Sequence, residues 1–204
     1  MKERGMIFNG EMVRAILDGR KTQTRRIMKN QPAGDYPDTP ALIRSVGGGF
    51  QWYGHYGESG IFNCPFGAVG DRIWVRETWN KYGGLLTYRA DYDWIEDMKK
   101  EMACHESYPK WHPSIHMPRW ASRITLEITG VRVERLNDIS ECDAKAEGAP
   151  TECCVIGDKH FLGFRSLWKS IYGDESWRSN PWVWVIEFKV VPNVPANSTG
   201  SDLR

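Results

Sequence analysis

A chain of 204 residues with a formal net charge of +1 is long enough to bury a core without disulfide or metal staples. It carries no overall field of the kind that drives strong nonspecific nucleic-acid binding. Five cysteines without regular spacing, no apolar run after Met1-Lys2-Glu3-Arg4-Gly5 and no stretch near the ~18 apolar residues of a membrane span lead to an expectation of free thiols, a cytoplasmic location and no membrane partner.

In chain order, the first predicted element is a helix over residues 10 to 18. Asn9 is its N-cap, and Met12, Val13, Ile16 and Leu17 recur at helical spacing. Gly19 ends it as a left-handed stop. The polar run Arg20-Lys21-Thr22-Gln23-Thr24-Arg25-Arg26 follows at once and reads as a cleft-edge segment with nothing in it to bury. Residues 1 to 30 hold eight Lys and Arg against three acidic groups. That local excess suits a phosphate-bearing partner, or equally a solvated terminus.

Residues 29 to 70, rich in Gly, Pro and Asp, read as loops with one or two short strands around Phe50-Gln51-Trp52-Tyr53. After a Gly70-Asp71 turn, residues 72 to 77 alternate as a strand, and 85 to 89 form another. Residues 91 to 103 are helix-like, and the stretch to Pro118 is irregular. The longest strand pattern runs from Arg123 to Leu136, with a bend or bulge at Gly130. Ser140 and Asp143 cap a short helix ending at Gly148. A helix over about 160 to 172 turns Phe161, Phe164, Leu167, Trp168 and Ile171 inward. Trp182 to Val191 is a closing strand, and the tail from Pro192 is expected to be flexible. This order is not an alternating parallel pattern; it predicts an α+β fold, a mainly antiparallel curved sheet or small barrel with helices at its ends.

The cations and hydroxyls between Arg20 and Arg26 form the densest cluster able to do chemistry. Lys21 beside them could lose its proton through desolvation and accept one from a hydroxyl, or stay charged and anchor an anion. A partner carboxylate would come from Glu77, Glu147 or Glu187, each of which is otherwise a salt-bridge partner. Trp79, Trp111 and Trp120 with Arg76, Arg119 and Arg123 could stack on and anchor a nucleotide strand, or simply pack in the core. His112 and His116, with Cys104-His105 upstream, have a superficial zinc spacing. Pro113 interrupts them and the cysteine pairing is wrong, so no metal is expected. Cys153-Cys154 read as adjacent free thiols.

The segment Gly19-Arg20-Lys21-Thr22-Gln23-Thr24-Arg25-Arg26 after an amphipathic helix resembles the signature of the ASCH family. Gly70-Asp71-Arg72-Ile73-Trp74-Val75, the stretch from Ile139 to Glu147-Gly148, and Trp184-Val185-Ile186-Glu187-Phe188 resemble its turn, short helix and terminal strand. Cys64-Pro65-Phe66-Gly67 and the run from Met117 to Ile124 look like its longer, phage-associated branch. The resemblance implies a PUA-like, mainly antiparallel β-barrel with flanking short helices. It would be one domain over 1–191, with insertions at about 28–63 and 80–116 and a flexible tail at 192–204. It implies binding of RNA or a modified nucleoside and a hydrolase, either an amidohydrolase on an acylated cytidine or a ribonuclease, with no cofactor. Carried over by motif, Lys21 is the proton acceptor, Thr24 the nucleophile and Glu147 the proton donor. Arg20, Thr22, Arg25, Arg26, Arg76, Trp79, Arg119, Trp120 and Arg123 would bind substrate or single-stranded nucleic acid. The alternatives are a non-catalytic nucleic-acid-binding module and a phage protein that binds a host protein.

Overall fold

The computed structural model describes residues 1–32, 42–54, 57–82, 84–91, 111–151 and 159–193. Its elements in chain order are β1 (Glu3–Ile7), α1 (Gly10–Leu17), β2 (Gln23–Ile27), β3 (Leu42–Val46), β4 (Gly49–Gly54), β5 (Gly57–Glu58), β6 (Arg72–Arg76), β7 (Trp79–Tyr82), β8 (Leu85–Tyr88), β9 (Thr125–Arg135), α2 (Glu141–Ala146), α3 (Lys159–Tyr172), α4 (Asp174–Arg178) and β10 (Trp182–Val191). The helix expected over 91 to 103 lies outside the described residues but for its first position, which closes a 3-10 turn.

A five-stranded mixed sheet in the order β1-β6-β9-β10-β2 forms the centre. All neighbours are antiparallel except β1 and β6, which run parallel from Glu3 opposite Arg72 to Ile7 opposite Arg76. The fold is α+β as expected, but no closed barrel forms among the described residues. The edge strands β1 and β2 are bridged by a side chain instead of a ladder, the Arg26 guanidinium donating to the Ile7 carbonyl at 2.7 Å. The bend expected at Gly130 is a bulge: Gly130 faces Glu187 while Ile128 faces Phe188. This leaves Thr129 as the extra residue.

β10 explains the packing. Trp182, Trp184, Ile186 and Phe188 on one face join Met6, Phe8, Val13, Ile16, Ile73, Val75 and Leu126 in the main core. Val183 and Val185 on the other join Leu136, Ile139, Ala144, Phe164, Trp168 and Trp177 beneath α2, α3 and α4. A strand covered on both faces reads as a continuous apolar run, which is what Trp182 to Ile186 is. Ile171, expected to turn inward on α3, is exposed instead.

Parts of both expected insertions are ordered sheet. β3, β4 and β5 form a three-stranded antiparallel sheet whose Phe50 packs edge-on against Trp184 at 5.2 Å between centroids. β7 and β8 form a hairpin whose Trp79 and Tyr88 pack with Met117 and Ala121. Asn193, which fell in the expected flexible tail, is anchored: its amide donates to the Ser122 carbonyl and its oxygen accepts from Thr125, both at 2.7 Å. No helix among the described residues is long and apolar enough to cross a membrane.

Candidate active site

Two helix ends build the site. At the end of α1, Gly19 adopts φ +71°. Its N–H donates to the Ile16 carbonyl and the Arg20 N–H to the Ala15 carbonyl, the paired bonds of a Schellman cap. α2 ends the same way. Gly148 is at φ +72°, its N–H donating to the Lys145 carbonyl and that of Ala149 to the Ala144 carbonyl. The two caps face each other, with Lys21 and Glu147 opposed as an isolated antiparallel bridge. A Cβ on Gly148 would lie 2.8 Å from the Ala15 Cβ and 2.9 Å from the Lys21 Cβ. Glycine is thus required at this position by both space and backbone angle.

That geometry sends Lys21 inward. The residue is 2 % exposed and Glu147 4 %. The ammonium donates to the Glu147 carboxylate oxygen Oε2 at 2.7 Å and to the Glu147 carbonyl at 2.8 Å. The second bond places a cation at the carbonyl end of α2, where the helix dipole favours one. Arg25, its side chain fully buried, spans three carboxylates: Glu147 Oε1 at 3.2 Å, Glu134 at 3.0 Å and Asp143 at 3.6 Å. Arg132 ties the same network together through Glu134, Glu187 and Asp143. The polar run after Gly19 is therefore not the unburied loop its composition suggests. Lys21, Gln23, Thr24 and Arg25 are all buried, because each charge meets an opposite one and Gln23 donates to the Asp143 carbonyl.

Burial pushes the Lys21 ammonium below its ordinary range. Glu147 pulls it back up and the Arg26 and Arg25 guanidinia push it down further, and the net displacement is downward. Burial pushes the Asp143 carboxyl up, but the Ser140 hydroxyl and the Arg25 and Arg132 guanidinia outweigh it and hold the group below the usual range.

Thr24 lines a small pocket with Glu147, Met12 and the α3 residues Phe164, Leu167 and Trp168. Its volume is about 10 Å³, roughly the room of one water molecule. Glu147, Met12 and Leu167 also line a neighbouring cleft of about 250 Å³ containing Arg14, Asp18 and Arg20. Arg14 and Leu167 in turn border a polar cleft of about 680 Å³ reaching Asn9, Glu77, Arg89 and Ser114. These clefts make a groove along α1, on which the buried Lys21–Glu147 pair opens through Glu147.

The other sequence-predicted residues are distributed differently. Arg20 is exposed and pairs with Asp18 at 2.9 Å. Thr22 is exposed, in a separate cleft beside Cys142 and His160. Arg26 lies over the Phe8 ring while bonding Ile7. Arg119 is held by both oxygens of Glu3, at 2.9 and 3.0 Å. Arg123 is held by Glu77 and Asp91 and lies over the Tyr88 ring. Arg76 donates to the Ser114 and Ile115 carbonyls. Trp79 is buried with His112 stacked on it at 4.9 Å. Trp120 is 60 % exposed, its ring edge-on to Trp79 and beneath the Lys81 ammonium. The structure thus joins Lys21, Glu147 and Arg25 and brings Thr24 to a small pocket lined by Arg25 and Glu147, while Arg76, Arg119 and Arg123 serve internal partners. Of the other two carboxylates considered, Glu77 serves Arg123 and Glu187 serves Arg132. Arg14, Glu134 and Arg132 were missed. The i, i+2 spacing of Arg132 and Glu134 on one strand face was the available signal.

No protein-family model matches this chain, and a search among curated proteins finds no match. Among solved structures, it is similar to the high-resolution crystal structure of an ASCH domain from Lactobacillus crispatus JV V101. The identity is 15 % over 94 % of this chain and 80 % of that one, with a TM-score of 0.41.

Proposed function

We propose that this chain binds RNA or a modified nucleoside in the groove along α1 and hydrolyses it with Lys21, Thr24 and Glu147, an amide of an acylated cytidine being the favoured substrate. One observation carries this reading: a buried ammonium–carboxylate pair whose Glu147 borders both the groove and the small pocket lined by the buried Thr24. A buried pair is expensive to desolvate, and apolar residues of the same volume are often at least as stable. A Lys–Glu pair here is better explained by chemistry than by stability.

The 2.7 Å bond between Lys21 and Glu147 lets the proton pass from the ammonium to the carboxylate. The resulting neutral amine and carboxylic acid are a general base and a general acid in one unit. The Thr24 hydroxyl attacks the substrate carbonyl and its proton goes to the Lys21 amine. Glu147 protonates the departing cytosine nitrogen, and water then hydrolyses the acyl-threonine, releasing acetate and restoring the hydroxyl. The Thr24 pocket is too small for an acyl group as it stands. Entry from the cleft requires Leu167 and Met12 to yield, and a flexible methionine at that point makes the movement easy.

Resemblance of the Gly19 to Arg26 segment and of Glu147-Gly148 to the ASCH pattern supports the substrate class. Incubation with 4-acetylcytidine and with RNA tests it. Acetate release that disappears in Lys21→Ala, Thr24→Ala and Glu147→Gln is the expected result, and activity surviving Lys21→Ala would refute the assignment.

A further inference from the structure

An apolar cleft lies away from the proposed catalytic groove and shares no lining residue with it. It sits between the β3–β5 sheet and β10, with a volume of about 590 Å³, within the range of small-molecule sites. Trp184 lies in its wall, and its ring is fixed by edge-on contacts from Phe50 at 5.2 Å and Phe62 at 5.9 Å. Trp52 lines the same cleft and is only partly buried, and its ring stacks on no other among the described residues.

The polar groups of the lining divide into two sets. Gln31 and Ser59 are structural. The Gln31 amide donates to the Met28 and Trp182 carbonyls and accepts from the Trp182 N–H, and Ser59 donates to the Gly60 carbonyl and accepts from the Trp52 N–H. The Asn30 and Asn63 amides, both exposed, make no hydrogen bond among the described residues and remain open to a ligand. Among the described lining residues Lys29 is the one cation, and none of them is a carboxylate.

We propose that this cleft is a binding site for a nucleotide. In it the base stacks on Trp52, the Asn30 and Asn63 amides meet the hydrogen-bonding edge of the base, and Lys29 holds the phosphate. Indole faces favour a flat ring. Two amides, each with donors and an acceptor, suit a base edge carrying both. An exposed ammonium at the edge of the cleft favours an anionic group. A purely apolar ligand would use none of these three polar groups, and a sugar alone would leave the indole faces uncovered. The same chemistry is presented by a free mononucleotide and by one nucleotide of a strand.

Calorimetric titration of the full chain with the four ribonucleoside monophosphates, the matching nucleosides and a four-nucleotide RNA tests this. At least one of these ligands is expected to bind, with Trp52→Ala weakening it about 10-fold or more and Trp52→Phe restoring most of the loss. Lys29→Gln should bring nucleotide affinity down to that of the nucleoside. Tighter binding of the tetranucleotide with the same Trp52 dependence identifies a strand as the source, and equal binding identifies the free nucleotide. Should Trp52→Ala fail to fold, Asn63→Ala at the exposed rim provides the same test through loss of base preference. Lys21→Ala should leave binding here unchanged, so that absence of hydrolysis refutes the catalytic reading alone. Absence of binding by all of these ligands, binding indifferent to both Trp52→Ala and Asn63→Ala, or binding lost in Lys21→Ala would overturn this second site.

Discussion

Replacing Lys21 by Met keeps most of the side-chain volume and removes the buried ammonium. Two acceptors then lose their donor, the Glu147 Oε2 at 2.7 Å and the Glu147 carbonyl at 2.8 Å. Stranding one member of a buried pair costs about 3–5 kcal/mol. Arg25 still lies 3.2 Å from Oε1 and offsets part of that, so the loss should fall near the lower end, about 3 kcal/mol. For a chain of this size each kcal/mol moves Tm by about 2–4 °C, hence a fall of roughly 6–12 °C. Glu147→Gln strands the ammonium instead and should cost a comparable amount. With both changes made, neither charge is left facing an unpaired partner of this bond, and much of the loss should return. Urea unfolding of the three variants at neutral pH closes a double-mutant cycle, whose coupling should reach about 2 kcal/mol. Additive single-variant losses, or a Lys21→Met variant within about 0.5 kcal/mol of the parent, would show that the pair is not coupled as the distances imply.

Three further measurements address pH and backbone. Burial, opposed by the Arg123 guanidinium, raises the Glu77 carboxyl above its ordinary 4.5, so the folded chain holds that proton more tightly than the unfolded one. The stability this adds is complete below the unfolded value and is lost as pH rises through the folded one; Glu77→Gln should remove that slope from a series of urea midpoints. Lys21 runs the other way. Its folded value lies below the ordinary 10.5, so stability from this group rises with pH between the two, and Lys21→Met should abolish the rise. Gly19 and Gly148 have nearly the same left-handed angle, yet a Cβ on Gly19 meets nothing within 4 Å while one on Gly148 meets Ala15 and Lys21. Gly19→Ala should therefore cost only the backbone strain of about 1–2 kcal/mol. Gly148→Ala should cost measurably more and shift Lys21, and equal midpoint losses for the two would contradict the packing at the cap.

Much of the scaffold was legible because it depends on local chemistry. The Asn9 cap, the Gly19 stop, the Ser140–Asp143 cap and the long apolar run of β10 each follow from neighbours in sequence, and the bulge at Gly130 from a glycine inside a strand pattern. β1 was not legible. Its parallel pairing with β6 joins segments about 70 residues apart, and its few residues show no clear alternation. Nor could composition reveal that Lys21, Gln23, Thr24 and Arg25 are buried, since a lysine and an arginine normally mark a surface. The chain itself determined two helix stops, at Gly19 and Gly148, each followed or preceded by a charged residue. Only the tertiary structure decided that these stops face one another, because the partners of Lys21 and Arg25 lie far along the chain. Lys21 meets Glu147 across 126 positions and Arg25 meets Glu134 across 109. Such pairing is set by the antiparallel register of β2, β10 and β9 and by the docking of α2, which no local pattern encodes.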